Sequence, residues 1–210
     1  GDSFLLFIKI GKKTNYALEG SIFISGAAVQ WLRDNLKIIK KAEDTQALAS
    51  SIKNNNGVYF VPAFTGLGAP YWKPEARGAI YGLSRSSGPA EISRAVLESV
   101  AYQCTDLLDA MRSDGQKPKV MRVDGGMSSN DWLMQFLSNI SELTIERTGN
   151  KESTSYGIAI LTALGSGLIG SLKEFSNNWT VNRKFNPEMS RNEIDKYRNG
   201  WQHAIKKTIM

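Results

Sequence analysis

The sequence contains 210 residues, of which 41% are hydrophobic and 22% are charged. These proportions are typical of a globular chain, and they argue against a disordered, collagen-like or membrane-bundle protein. The length suits one large domain or two small ones. The only cysteine is Cys104 and the only histidine is His203. An intrachain disulfide is therefore excluded, and neither a His–Cys zinc cluster nor a Ser-His-Asp triad is supported.

The net charge of +6 comes from 26 Lys and Arg against 20 Asp and Glu. A nucleic-acid-binding chain gathers such an excess into runs or onto one face. Here the lysines form isolated pairs such as Lys12-Lys13, so we expect a solvated surface and no nucleic-acid partner. The longest apolar stretches, residues 4–10 and 158–170, are shorter than the ~18–20 residues that a membrane span needs. No secretory signal pattern opens the chain, so we expect a cytoplasmic protein with no membrane partner.

The first half of the chain alternates strand and helix signals. In chain order these are a strand at residues 4–10, a turn at 11–15, a strand at 16–20, a helix at 26–39, a strand at 58–61 and a strand at 79–83. The helix is predicted because Val29, Leu32, Leu36 and Ile39 fall on one helical stripe. Residues 62–82 are rich in glycine, proline and aromatic side chains, which predicts an ordered loop.

The second half continues the alternation. Gly88-Pro89 opens the longest predicted helix, because proline at the first helical position loses no hydrogen bond. The following elements are a strand at 119–123, a helix carrying Leu133, Phe136, Leu137 and Ile140, a strand at 144–146, a helix at 154–168 and a helix at 191–207. Strands alternating with helices indicate an α/β sheet, and no internal repeat is present.

The most informative local feature is Gly125-Gly126, which follows a predicted strand and precedes a predicted helix. Paired glycines let the backbone approach a ligand closely, and a helix start suits a phosphate or a polar base edge. Ser128 and Asp131 have the spacing of a capping box that would fix the helix start. The alternative is a simple tight turn, and on this motif alone that alternative is favoured.

Two further groups of residues are candidates. Gly26 leaves room at a helix start, and Gln30, one turn later, offers both a donor and an acceptor. The alternative for Gln30 is an exposed residue on an amphipathic helix. Arg94 and Glu98 are most simply read as a surface ion pair between successive helical turns. These residues, taken by themselves, thus predict an α/β domain with a nucleotide-sized site beside Gly125-Gly126.

Several segments also resemble the FGGY carbohydrate kinases. The run from Val61 to Trp72, VPAFTGLGAPYW, is similar to the C-terminal half of the glycerol kinases of that family, and so are YALEG at residues 16–20 and VDGG at 123–126. GAIYGL at residues 78–83, followed after seven residues by EISRAVLE at 91–98, resembles a signature of the wider family. The similarity runs from about residue 14 to the end. Within it, the segment from Pro62 to Trp72 is much closer to glycerol kinases than to xylulose, ribulose or gluconate kinases.

The resemblance implies a ribonuclease-H-like, actin-like ATPase fold in which two α/β domains close on Mg-ATP and substrate. Residues 1–210 would be the C-terminal nucleotide-binding domain, incomplete at its N-terminus. Gly26 and Gln30 would lie beside ATP, Gly126 would contact the nucleotide through its backbone, and Asn130 would face the adenine–ribose region. No catalytic or metal-binding residue is assigned, because full-length members supply the polyol site and the catalytic aspartate from a first domain that is not in this chain.

The function implied is transfer of the ATP γ-phosphoryl group to glycerol, giving glycerol 3-phosphate. ATP, with Mg²⁺, is the expected cofactor, ATP/ADP is the expected partner, and glycerol would bind through the missing N-terminal domain. A homo-oligomer is expected of the full-length family. The alternatives are another polyol or sugar kinase of the family, or a non-catalytic remnant that keeps the ATPase-like fold. The chain by itself is expected to be inactive.

Overall fold

Strands and helices alternate along the chain in a computed structural model, which describes residues 4–149, 152–173 and 180–210. The strands are β1 (Phe4–Ile10), β2 (Lys13–Glu19), β3 (Tyr59–Val61), β4 (Ala79–Tyr81), β5 (Val120–Val123), β6 (Thr144–Thr148) and β7 (Val181–Phe185). The α-helices are α1 (Gly26–Asp34), α2 (Asp44–Ser50), α3 (Pro89–Ser113), α4 (Asp131–Ser141), α5 (Ser153–Gly165) and α6 (Arg191–Ile209). A short 3₁₀ helix, Gly126–Ser129, directly precedes α4.

The strands form three small sheets. β1 and β2 make an antiparallel hairpin, β3 and β4 make a second antiparallel pair, and β5-β6-β7 make a three-stranded sheet. In that last sheet β5 runs parallel to β6, whereas β7 runs antiparallel. The mixture of parallel strands and connecting helices agrees with the predicted α/β class.

Helix α3 lies at the centre of the hydrophobic core. It begins at Pro89 as predicted, and Glu91 caps it by accepting the Gly88 N–H at 2.9 Å. Its neighbours include α1, α2, α4 and β3. An aromatic stack joins it to the last helix, because the rings of Tyr102 and Trp201 lie parallel with centroids 5.1 Å apart. Both side chains are fully buried, which holds α6 against α3.

Helix α1 is shorter than predicted. It ends at Asp34, and Lys37 adopts a positive φ of 56° that a continuing helix does not allow. Val29, Leu32 and Ile39 are buried, but Leu36 is exposed. The predicted apolar stripe is therefore right for Val29 and Leu32 and wrong for Leu36, and Ile39 reaches the core from beyond the end of the helix.

Helix α2 and strand β7 were not predicted. Helix α2 has only seven residues and its N-cap, Glu43, makes no side-chain capping bond. Strand β7 has the sequence VNRKF, in which the three middle residues are polar and exposed. Neither segment carries a full apolar period, so the periodicity used to find the other elements does not detect them.

The prediction of a surface pair between Arg94 and Glu98 is wrong. Both side chains are buried, and the Arg94 Nε lies 2.8 Å from the Glu98 Oε1. The burial arises because α2 and α4 pack on this face of α3, a long-range arrangement that helical spacing does not reveal.

Helix α5 and the β1–β2 hairpin carry apolar side chains on the surface. Helix α5 buries none of its side chains among the described residues, and Ile158 is 62% exposed. On the hairpin, Phe7 is 72% exposed and Tyr16 is 68% exposed. Within the described ranges, no helix is long and apolar enough to cross a membrane.

Candidate functional site

The four residues predicted to contact a nucleotide line one cavity of about 620 Å³. Gly26 and Gln30 lie on α1, whereas Gly126 and Asn130 lie between β5 and α4. About 100 residues separate the two pairs along the chain, so the cavity exists only because the fold brings the start of α1 and the segment before α4 to the same place. Helix α2 supplies a third wall.

The α1 wall presents a helix start to the cavity. Ser25 is the N-cap residue, but its side chain makes no capping hydrogen bond. A Cβ added to Gly26 would meet only the Met127 side chain, at 3.8 Å, which is an ordinary van der Waals contact. Packing within the protein therefore does not require glycine here. The Gln30 side chain is exposed one turn later, at the cavity edge.

The glycine pair forms the opposite wall. Gly125 has a φ of 80°, in the left-handed region that glycine favours, and this lets the chain turn sharply after β5. Gly126 begins the 3₁₀ helix, and a Cβ added to it would meet no atom within 4 Å. Gly126 also lines the cavity, so this glycine, like Gly26, leaves room that the fold itself does not fill.

Asn130 caps helix α4. Its Oδ1 accepts the Leu133 N–H at 3.0 Å, and its Nδ2 lies 3.4 Å from the Thr45 Oγ1. The prediction that Ser128 and Asp131 form the capping box is wrong, because the Ser128 hydroxyl instead donates to the Gly125 carbonyl at 2.7 Å. The chain inserts a turn of 3₁₀ helix before α4, which moves the cap two residues further along the chain.

The Asp131 carboxylate also has a different role from the one predicted. It lies 2.7 Å from the Arg147 Nη1 and accepts a second hydrogen bond from Arg183. These contacts tie the first turn of α4 to strands β6 and β7. A negative charge in the first turn of a helix is favourable, so the position stabilises α4 as well.

Helix α2 provides cavity residues that the sequence reading missed, among them Thr45 and Gln46. The Gln46 Oε1 accepts the Asp131 N–H at 2.8 Å, which links α2 directly to the start of α4. Asp44 organises the approach to α2, because its carboxylate accepts the N–H groups of Lys41 and Lys40. These two backbone donors lower the pKa of Asp44. An aspartate at a helix start was the available sequence signal.

The chemistry of the cavity suits a ligand with polar edges and negative charge. Two helix starts and two glycine backbones face it, and the polar side chains include the amides of Gln30, Gln46 and Asn130. N–H groups at helix starts attract anions, and amide side chains offer donors and acceptors to a heterocyclic base. In the described parts of the chain, no group of three His, Cys, Asp or Glu side chains is arranged to hold a metal ion.

Comparison with protein families identifies the chain. Residues 8–166 match the C-terminal domain of the FGGY family of carbohydrate kinases. This match covers most of the chain, which therefore belongs to the FGGY family.

The curated relatives of the chain include glycerol kinases. The chain is 49% identical over 201 residues to a glycerol kinase of Coxiella burnetii, covering 96% of this chain and 40% of that protein. It is 50% identical over 205 residues to a glycerol kinase of Sinorhizobium fredii, covering 96% of this chain and 41% of that protein. The chain thus spans about two fifths of the length of these relatives.

Solved structures show the same fold. A Plasmodium falciparum glycerol kinase with ADP superposes with a TM-score of 0.87 at 37% identity, over 95% of this chain and 40% of that one. A gluconate kinase from Lactobacillus acidophilus superposes with a TM-score of 0.80 at 23% identity, over 98% of this chain and 41% of that one. The predicted fold class, the α/β second domain of an FGGY kinase with an actin-like ATPase fold, is confirmed.

Proposed function

We propose that the cavity between α1, α2 and α4 binds the adenine nucleotide of a glycerol kinase. The observation that carries this proposal is the convergence of Gly26, Gln30, Gly126 and Asn130 on one cavity. The family resemblance implies a nucleotide contact for each of these four residues, and they are drawn from two segments that are far apart along the chain. The likeness to a glycerol kinase whose structure includes ADP supports the same assignment.

Each residue has a distinct role in the proposal. Gly126 brings its backbone against the nucleotide, because no Cβ intervenes. Gly26 leaves space at the start of α1, and the Gln30 amide hydrogen-bonds the ligand at the cavity edge. Asn130 faces the adenine–ribose region while its Oδ1 caps α4.

The reaction proposed is transfer of the γ-phosphoryl group of ATP to the terminal hydroxyl of glycerol. Such transfers depend mainly on positioning and on neutralising charge. Mg²⁺ is expected with ATP in this family, where it would neutralise charge on the phosphates. The chain's own contribution is to bind and orient the nucleotide.

The polyol site and the general base belong, in this proposal, to a companion domain. The relatives are about two and a half times as long as the matched region, which leaves room for such a domain. Helix α5 and the β1–β2 hairpin carry exposed apolar side chains that suit a covering partner. We place residues 1–210 as the nucleotide-binding domain, working in the cytoplasm and, within the full-length protein, as a homo-oligomer.

Two alternatives differ in substrate or in activity. Another polyol or sugar kinase of the FGGY family would keep the nucleotide cavity and change only the companion domain. A non-catalytic remnant would keep the fold and lose the reaction. The coding sequence upstream discriminates them, because an adjacent first domain with an acidic base supports a kinase.

The nucleotide proposal is tested by calorimetry with ADP on the wild-type chain and on Gly126→Val. The valine side chain would enter open space, so we expect the fold to persist and ADP binding to weaken because backbone approach is blocked. Gly165→Val is the matched control, since a Cβ at Gly165 also meets nothing within 4 Å but lies outside the cavity. Unchanged ADP binding in Gly126→Val would overturn the site assignment.

A further inference from the structure

The ion pair between Arg94 and Glu98 lies behind two walls of the cavity. Neither residue lines the cavity, and both side chains are buried. Arg94 nevertheless contacts segments from both sides of it. A buried arginine with five donors can bridge several elements at once, because its planar group has a fixed geometry.

On one side, Arg94 holds the C-terminal end of α2. Its Nη1 donates to the Ile52 carbonyl at 2.6 Å and lies 3.5 Å from the Ala49 carbonyl. Carbonyls at a helix end lack partners within the helix, and a cation there is favourable. Arg94 therefore anchors the helix that brings Thr45 and Gln46 to the cavity.

On the other side, Arg94 contacts the first turn of α4. Its guanidinium carbon lies 4.9 Å from the centre of the Trp132 ring, in a cation–π arrangement. Trp132 follows Asn130 and Asp131, which cap and begin α4. The same guanidinium thus contacts both the α2 wall and the α4 wall.

The guanidinium is itself fixed by further partners. Glu98 accepts from the Arg94 Nε at 2.8 Å, and its other oxygen accepts from Asn55 at 2.8 Å and Tyr102 at 3.0 Å. The Tyr197 hydroxyl accepts from the Arg94 Nη2 at 3.1 Å. With its partners satisfied, the guanidinium has little freedom to rotate away from the two walls.

We infer that Arg94, held by Glu98, is a positioning residue that sets the spacing between the α2 and α4 walls of the nucleotide cavity. This inference rests on the proposed function for its effect on binding. Losing the bridge lets the walls separate, so a smaller fraction of the molecules is competent to bind. If that fraction falls to about one-tenth, the apparent Kd rises about tenfold.

The test compares ADP affinity in Arg94→Lys and in Tyr71→Phe. Lysine keeps the charge but cannot bridge Glu98, the α2 carbonyls and Trp132 together. Tyr71→Phe is the matched control, because it removes a part-buried hydrogen bond to Asp106 that lies outside the cavity. We expect Kd for ADP to rise about tenfold in Arg94→Lys and to stay unchanged in Tyr71→Phe at equal folded fraction. If Arg94→Lys does not fold, Tyr197→Phe removes a single Arg94 partner and should raise Kd by a smaller factor.

Hydrogen exchange separates this inference from the nucleotide proposal. Without ligand, the amides of α2 should exchange faster in Arg94→Lys than in Tyr71→Phe, because only the first loses its anchor. Failure of the wild-type chain to bind ADP would overturn the proposed function, and exchange would then decide the role of Arg94. Equal α2 exchange in the two variants, or unchanged ADP affinity in Arg94→Lys, would overturn the positioning role.

Discussion

Helices α4 and α5 have similar lengths and are both rich in apolar residues, but their surroundings differ. Helix α4 buries Leu133, Phe136, Leu137 and Ile140 against α3 and β6. Helix α5 leaves Ile158 and Leu161 exposed. The α4 sequence has one apolar stripe and one partner face, whereas α5 is apolar around most of its surface. Helices that are apolar on all sides are normally buried, so the exposed apolar surface of α5 suits the companion domain of our proposal.

The largest expected effect is on the rate of glycerol phosphorylation, which in our proposal depends on the companion domain. We expect the chain alone to show no glycerol-dependent ATP consumption above background. A general base must reach the attacking hydroxyl at hydrogen-bond distance, and the family resemblance assigns the base to a first domain. Losing such a base costs roughly 10²–10⁴-fold in rate, before the loss of the polyol site is counted. A coupled assay for ADP release measures the glycerol-dependent ATP consumption.

Mixing the chain with a first domain from a glycerol kinase should restore some turnover, because the nucleotide and polyol halves would then close on each other. Asp124 is the nearest alternative base, although it stands at the strand–glycine turn. Glycerol 3-phosphate production by the chain alone, abolished in Asp124→Asn, would contradict the division between two domains and make Asp124 the base.

The next largest effect is the difference in the free energy of unfolding between an isoleucine-to-alanine substitution in α4 and one in α5. Ile140 is 1% exposed in α4, and Ile158 is 62% exposed in α5. Ile140→Ala should lower the free energy of unfolding by about 2–5 kcal/mol, because it leaves a cavity in the core. Ile158→Ala should change it by no more than about 0.5 kcal/mol. Urea titration measures both, and equal losses would show that α5 is already packed in solution.

Helices α3 and α4 could be predicted from the sequence, whereas helix α2 could not. Leu133 to Ile140 repeat at helical spacing, and Gly88-Pro89 marks a helix start, so α3 and α4 follow from local rules. The α2 wall does not, because Thr45 and Gln46 stand in a short helix without an apolar stripe.

The misreading of Glu98 has a related cause. Asn55, which donates to this carboxylate, is 43 residues away along the chain, so only the packing of α2 on α3 reveals the buried pair. Gly26, Gln30 and Gly126 stand at helix starts, which is a local signal, whereas the nucleotide contacts of all four cavity residues were implied by the family resemblance. Their convergence on one cavity is a property of the fold, which local signals do not contain.

The buried carboxyl of Glu98 should make the stability of the fold depend on pH. Burial raises its pKa to about 7, against the opposing effect of Arg94. In the folded state the group therefore binds its proton more tightly than in the unfolded chain, whose pKa is about 4.3. The stability that Glu98 contributes by binding this proton is fully present below the pKa of the unfolded chain. It is lost as the pH rises through the folded-state pKa of about 7.

The comparison is wild type against Glu98→Gln, which stays neutral at every pH. The stability of wild type relative to Glu98→Gln should increase as the pH falls from 8 to 5, by at most about 3 kcal/mol. Urea midpoints across this range measure the change. A difference that is constant with pH would show that Glu98 stays ionised beside Arg94.

A smaller effect is expected on self-association of the chain, which the exposed apolar side chains of α5 should promote. Ile158→Lys places a charge on the apolar surface of α5, so we expect association of the chain to weaken about tenfold, or about 1.4 kcal/mol. Leu83→Lys is the matched control, because Leu83 is also exposed but lies outside α5 and the hairpin. Sedimentation velocity over a concentration series measures both. If both variants weaken association equally, or if the wild-type chain is a monodisperse monomer, the apolar surface of α5 does not mediate self-association.

The smallest expected effect separates the two roles of Asn130, at the point where α4 meets the cavity. Asn130→Ala removes the cap on the Leu133 N–H and should lower the free energy of unfolding by about 1 kcal/mol. Asn130→Asp keeps a capping oxygen and should restore that stability. It also loses the Nδ2 donor and adds a negative charge beside the proposed nucleotide, so ADP binding should weaken although the helix is intact. If Asn130→Asp instead binds ADP as the wild type does, the side chain serves only as a cap, and the adenine–ribose contact must be assigned to another cavity residue.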